Sequence, residues 1–146
     1  MSASSAQKVL RSFSLAWKRR NPGLPRPYEN ALELGLIEPR IAEMVSHLNV
    51  PGIVRTYACC EGHERVGDVE LPYVAFAAEI DFVRVLNLKL LGAAPGHGAL
   101  KHHWIVEYGQ SFALRPHAPG KLRREAMDSD FATLCRIVDE AVREQN

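Results

Sequence analysis

The sequence predicts a single α+β domain over residues 1–146, with an antiparallel or mixed sheet and helices packed on one face. Three observations predict it. Apolar residues recur at helical spacing in some stretches and alternate with polar ones in others. The two patterns run in the order α-α-β-β-α-β-β-α, so strands come in pairs with helices between them. A chain of 146 residues with 47% hydrophobic content can bury a sizeable core without a disulfide or a metal.

The elements follow in order. Ser4 or Ser5 caps a first helix that runs to about Arg20, with Val9, Leu10, Phe13, Ala16 and Trp17 on one face. Asn21-Pro22-Gly23 stops it, and Pro25 and Pro27 keep the chain extended, so residues 1–27 form a basic helix and a Pro-rich linker. A second helix begins at Glu38-Pro39, since proline suits a first turn, and carries Ile41, Met44, Val45 and Leu48 as its stripe. The segment from Asn49 to Gly52 ends it.

Ile53 to Cys60 reads as a strand. Regular alternation puts Val54, Thr56, Ala58 and Cys60 on one side and Arg55, Tyr57 and Cys59 on the other. Glu61 to Glu70 reads as a polar loop. Leu71 to Ile80 reads as a second strand, with Pro72 at its start. Asp81 is the expected cap of a third helix, Phe82 to Leu91, closed by Gly92 and apolar on enough of its circumference to be well buried. Ala93 to Lys101 is a small-residue loop. His103 to Tyr108 and Ser111 to Arg115 form a hairpin around Gly109-Gln110. Asp128 or Ser129 caps a last helix, whose apolar face holds Phe131, Leu134, Cys135, Val138, Ala141 and Val142.

The formal net charge is +1 but unevenly spread. Residues 1–27 carry six basic groups and no acid, and residues 82–124 carry seven against Glu107. Residues 28–81 carry ten acids against three bases. Basic blocks converging on one face would attract RNA or a phosphorylated small molecule. The plainer outcome is that the blocks neutralise each other across the fold. Three cysteines, two of them adjacent, are no disulfide framework and fit a reducing cytoplasm. No run of apolar residues is long enough to span a membrane. The N-terminus lacks the apolar core of a secretory signal. Its Arg- and Ser-containing composition overlaps that of a transit peptide, although an ordinary helix is the preferred reading.

The densest polar cluster is Thr56-Tyr57-Ala58-Cys59-Cys60-Glu61-Gly62-His63, at the end of the first strand. Gly62 permits a tight turn that folds Glu61 and His63 back over the cysteines. Cys60 and His63, three apart, make a zinc half-site, with His97, His102, His103 or Glu61 as further donors, and His103 is the third ligand we expect. A thiol beside a histidine is also a nucleophile candidate. Cys135, on an apolar helix face, reads as core filling.

The cluster and the helix before it carry a resemblance. A helix with Ile41, Met44, Val45, Leu48 and Asn49, followed by Thr56 to His63, resembles the start of the wybutosine-synthesising tRNA methyltransferase family, whose strand ends Thr-Thr-Ser-Ser-Cys-Ser-Gly-Arg. The match covers residues 38–63. Thr56, Cys60 and Gly62 correspond directly, while Ala58 and Cys59 replace two serines, Glu61 a third, and His63 the arginine. The Thr-x-x-x-Cys-Glu-Gly-His form is also similar to uncharacterised bacterial and phage proteins. The resemblance implies an α+β fold with S-adenosylmethionine and RNA as ligands.

Two functions are expected from different classes. One is an enzyme of RNA or nucleotide modification, with Cys60, Glu61 and His63 catalytic and with Arg55, Thr56, Cys59, Gly62, Lys121, Arg123 and Arg124 binding substrate. The other is a non-catalytic binding or regulatory module, in which Cys60 and His63 hold zinc. Geometry separates them. An enzyme brings Cys60, Glu61 and His63 onto an open pocket, whereas a braced loop pairs each polar atom internally.

Overall fold

In a computed structural model of the chain, residues 37–65, 68–117 and 123–145 are described. The expected first helix, the Pro-rich linker and Lys121 lie outside them. The described residues fold as α1 (Pro39–Leu48), β1 (Val54–Cys60), β2 (His63–Arg65), β3 (Asp68–Glu70), β4 (Tyr73–Ala78), α2 (Ile80–Gly92), β5 (His103–Tyr108), β6 (Phe112–His117) and α3 (Arg124–Arg143). From the second expected helix onward, the order of helices and long strands is that expected, in an α+β arrangement. The main sheet is wholly antiparallel, in the order β1-β4-β6-β5.

Local chemistry explains the joints. Pro39 opens α1, where its missing N–H costs no hydrogen bond. The turn after α1 places Pro51 and Gly52 between Val50 and Ile53, whose N–H bonds the Val50 carbonyl at 3.0 Å. Gly52 adopts φ +81°, the left-handed value that the third residue of such a turn requires. Asn49 then ties the helix to the strand, its Oδ1 accepting the Thr56 N–H at 3.1 Å and the Thr56 hydroxyl at 3.2 Å.

The core lies between the sheet and one layer of helices. Cross-strand register builds it row by row. Cys59, Val74, Leu114 and Val106 form one row, and Thr56, Phe76 and Phe112 the next, which ends at the exposed Tyr108. Onto these rows pack Ile41, Met44 and Leu48 of α1, Phe82, Leu86 and Leu90 of α2, and Met127, Leu134 and Val138 of α3. The opposite sheet face presents exposed Arg55, Ala58, His103, Arg115 and His117.

Four expectations need correction. First, β1 does not alternate regularly. Thr56 pairs with Phe76 but Ala58 with Ala75, so Tyr57 is an extra residue, a β-bulge. Beyond it the faces exchange, and Cys59 joins the core side opposite Val74. Second, the expected loop 61–70 contains a small ribbon in which His63 pairs with Glu70 and Arg65 with Asp68. Third, α2 and α3 begin earlier than the side-chain caps implied. Glu79 and Arg123 stand at their N-caps, neither with a side-chain cap bond, and Asp81 lies within the first turn of α2. Packing of the first turns onto the core outweighs capping propensity there. Fourth, α2 is buried on one side only. Ile80, Leu88 and Leu91 are 59%, 65% and 64% exposed, and among the described residues no second layer covers them.

Candidate functional site

The site forms where the end of β1 meets the start of α1. Glu38 at the N-cap makes no bond to its own helix. Its side chain reaches instead to the loop after β1. Oε1 accepts the Glu61 N–H at 3.0 Å, and Oε2 lies 2.8 Å from His63 Nε2. Glu61 reciprocates, its Oε2 accepting the Arg40 N–H at 2.9 Å. That N–H is one of the donors a helix start leaves unpaired. The two glutamates therefore form a capping exchange between segments distant in sequence.

Gly62 makes the exchange geometrically accessible. Its φ of +84° lies in the left-handed region, which turns the chain sharply between Glu61 and His63. Its N–H lies 3.4 Å from Cys60 Sγ. Arg124, from the first turn of α3, donates to the carbonyls of both Glu61 and Gly62. Asp128, one turn later, bonds the Arg40 guanidinium at 2.6 Å. The loop is thus gripped by both α1 and α3.

Donor atoms of Glu38, Cys60 and His63 all lie within 4.8 Å of one another. Cys60 is buried, while Glu38 and His63 are each about one-third exposed on the side chain. Cys60 and His63 meet as the sequence predicts. His103 does not join them. It sits on β5, at the far edge of the sheet and in register with His117. Three strand spacings separate that edge from β1, about 14 Å. The third donor within reach of Cys60 and His63 is Glu38.

The other expected residues take different positions. Thr56 is buried and bonded to Asn49. Cys59 packs against the core, where burial and then the nearby acids push its thiol up to about 11. A thiol so raised stays protonated near neutrality and is a poor nucleophile. Arg55 is exposed on the sheet face opposite the helices, its guanidinium 5.5 Å from the Tyr57 ring centre. Arg123 is exposed at the α3 N-cap. Arg124 braces the loop, so it is not a free cation waiting for phosphate.

Two polar centres escape the sequence reading. Asp130 is fully buried on α3. It accepts the backbone N–H groups of Lys101 and His102 at 2.7 and 3.1 Å and the Trp104 indole N–H at 2.8 Å, and it contacts His102 Nδ1 at 2.9 Å. The signal for it is an acid within the apolar stripe of Met127, Phe131 and Leu134. The second is the contact of His47 on α1 with Asp139 on α3, at 2.8 Å. Cys135, read as core filling, is half-buried beside it. Burial first, then the charges of Glu43 and Asp139, push its thiol from 9.0 to about 11.

No protein-family model, curated protein or solved structure matches this chain.

Proposed function

We propose that this protein is a metal-binding module, with zinc held by Glu38, Cys60 and His63 at the junction of α1 and the β1 loop. The observation that carries this reading is the convergence of a thiol, an imidazole and a carboxylate within 4.8 Å. Zinc takes these three donor types at about 2.0–2.3 Å, which places tetrahedral ligands about 3.3–3.6 Å apart. An ion among the three needs side-chain shifts of about an ångström, drawing Cys60 in while opening the 2.8 Å contact of His63 with Glu38. It would take the place of the proton between His63 and Glu38 and leave a fourth position for water. Its chemical work is to fix the loop to the start of α1, adding a metal link to the glutamate exchange.

Internal pairing favours this reading over RNA or nucleotide modification. Glu61 serves Arg40, Thr56 serves Asn49, and Arg124 serves the loop carbonyls. A methyl-transfer site using S-adenosylmethionine would need those groups turned outward to a ligand.

The test is a cobalt(II) titration of the metal-free full chain, read by thiolate-to-cobalt absorption. Cys60→Ser is expected to remove one thiolate-bound equivalent, and His63→Ala and Glu38→Gln to weaken it at least tenfold (~1.4 kcal/mol or more). Cys59→Ser, on the core side of the bulge, is expected to leave it unchanged. Full absorption in Cys60→Ser would overturn the proposal.

A further inference from the structure

A second group of donors stands apart from the β1 loop. Glu43 and His47 are four residues apart on α1, and Cys135 and Asp139 are four apart on α3. Residues at that spacing share a helix face. The two faces meet, since donor atoms of Glu43, His47 and Cys135 lie within 4.8 Å of one another. Asp139 lies against the same histidine, with its two oxygens 2.8 and 3.0 Å from His47 Nδ1, which leaves Nε2 for an ion. A carboxylate so placed orients a ligating histidine and raises its basicity.

Access and chemistry both suit a cation. A cleft of about 190 Å³ opens between the helices, and Glu43 and Cys135 line it together with Arg40, Met44 and Phe131. Glu43 is exposed and His47 half-buried, so an ion has an entry path and keeps part of its hydration. Thiolate, imidazole and carboxylate together match zinc rather than magnesium or calcium, which take oxygen donors.

We infer that Glu43, His47 and Cys135, with Asp139 positioning the ring, form a second zinc-type site that bridges α1 and α3. It shares no ligand with the site at Cys60, and neither depends on the other. An ion here links the helix that carries Glu38 to the helix that carries Arg124, and so braces the loop from its far side.

Cobalt(II) titration of the metal-free full chain separates the two sites. The unaltered protein is expected to take two thiolate-bound equivalents. Cys135→Ser should retain only the one that Cys60→Ser removes. Glu43→Gln, at an exposed position, should weaken the second equivalent at least tenfold without disturbing the fold. Asp139→Asn should weaken it about 10–100-fold. Zinc should also raise the Tm of Cys60→Ser and fail to raise that of Cys60→Ser/His47→Ala. Two equivalents in Cys135→Ser, or loss of all thiolate absorption in Cys60→Ser, would overturn the second site. Full absorption in Cys60→Ser with none in Cys135→Ser would remove the first site and leave the second standing.

Discussion

Single residues carry much of the organisation of this molecule, and Asp130 shows how. It is a fully buried acid with three N–H donors and a histidine ring on its two oxygens. Removing it leaves the buried Trp104 N–H without an acceptor and breaks two part-buried backbone bonds to a charged group, at about 1–3 kcal/mol each. Asp130→Ala should therefore lower stability by at least about 3 kcal/mol in urea unfolding, whereas Asp128→Ala, in a half-exposed ion pair, should cost under about 1 kcal/mol. Similar losses from the two variants would contradict this account. Asp130 was legible as an acid within an apolar stripe, but its partners were not, because they lie on a segment that only folding brings beside it. Glu38 is a parallel case. A glutamate just before a helix-opening proline reads as a favourable charge, and its longer reach to His63 is a tertiary fact.

Segments show the same division between legible and hidden. The stripe of α1 and the hairpin of β5 and β6 could be read from periodicity, because one face of each is buried against a single layer. The bulge in β1 could not. Val54, Thr56, Ala58 and Cys60 alternate without interruption in sequence, and only pairing with β4 reveals the extra residue at Tyr57. The connection after α2 is tighter than a run of small residues suggests. His97 and Gly98 both donate to the Ala94 carbonyl at 2.9 Å, and Leu100 returns to Ala93 at 3.0 Å. A Cβ on Gly98 would lie 2.5 Å from the Ala93 Cα, a contact that backbone must move to relieve. Gly98→Ala should cost about 1–3 kcal/mol of stability by chemical denaturation. An unchanged midpoint would show that the connection has slack. The loss should be local in origin, since α2 is held to α3 elsewhere by Lys89, 2.8 Å from Glu144.

At the scale of the whole molecule, the acid–base behaviour of the thiols sets a limit on stability. Folding raises Cys59 and Cys135 from 9.0 to about 11, chiefly through burial. Below pH 9 both thiols are protonated in the folded and unfolded chains alike, and they contribute no pH dependence. Between about 9 and 11 the unfolded chain releases protons that the folded chain keeps, so stability falls across that window. In the presence of a chelator, the urea midpoint should drop between pH 8 and pH 10.5. The drop should be smaller in Cys59→Ala/Cys135→Ala, and an equal drop would assign it to other groups. The α+β class and the order of the elements were readable at this scale from alternating periods. The layout of the site was not, because it depends on α1, the β1 loop and α3 arriving at one place.

That dependence has a consequence for how the chain acquires its structure during synthesis. Every strand of the sheet precedes α3 in the sequence, so the ribosome delivers the complete sheet before the helix that covers much of it. Until α3 emerges, the faces of α1 and Trp104 that will meet it remain open to water and to other nascent chains. The donors awaiting Asp130 and the loop carbonyls awaiting Arg124 remain unclaimed. Local pairing of β5 with β6 can precede that moment, as contacts close in sequence form first. The final closure cannot, and a chain halted before Arg124 should be a target for chaperones rather than a smaller working version of the protein.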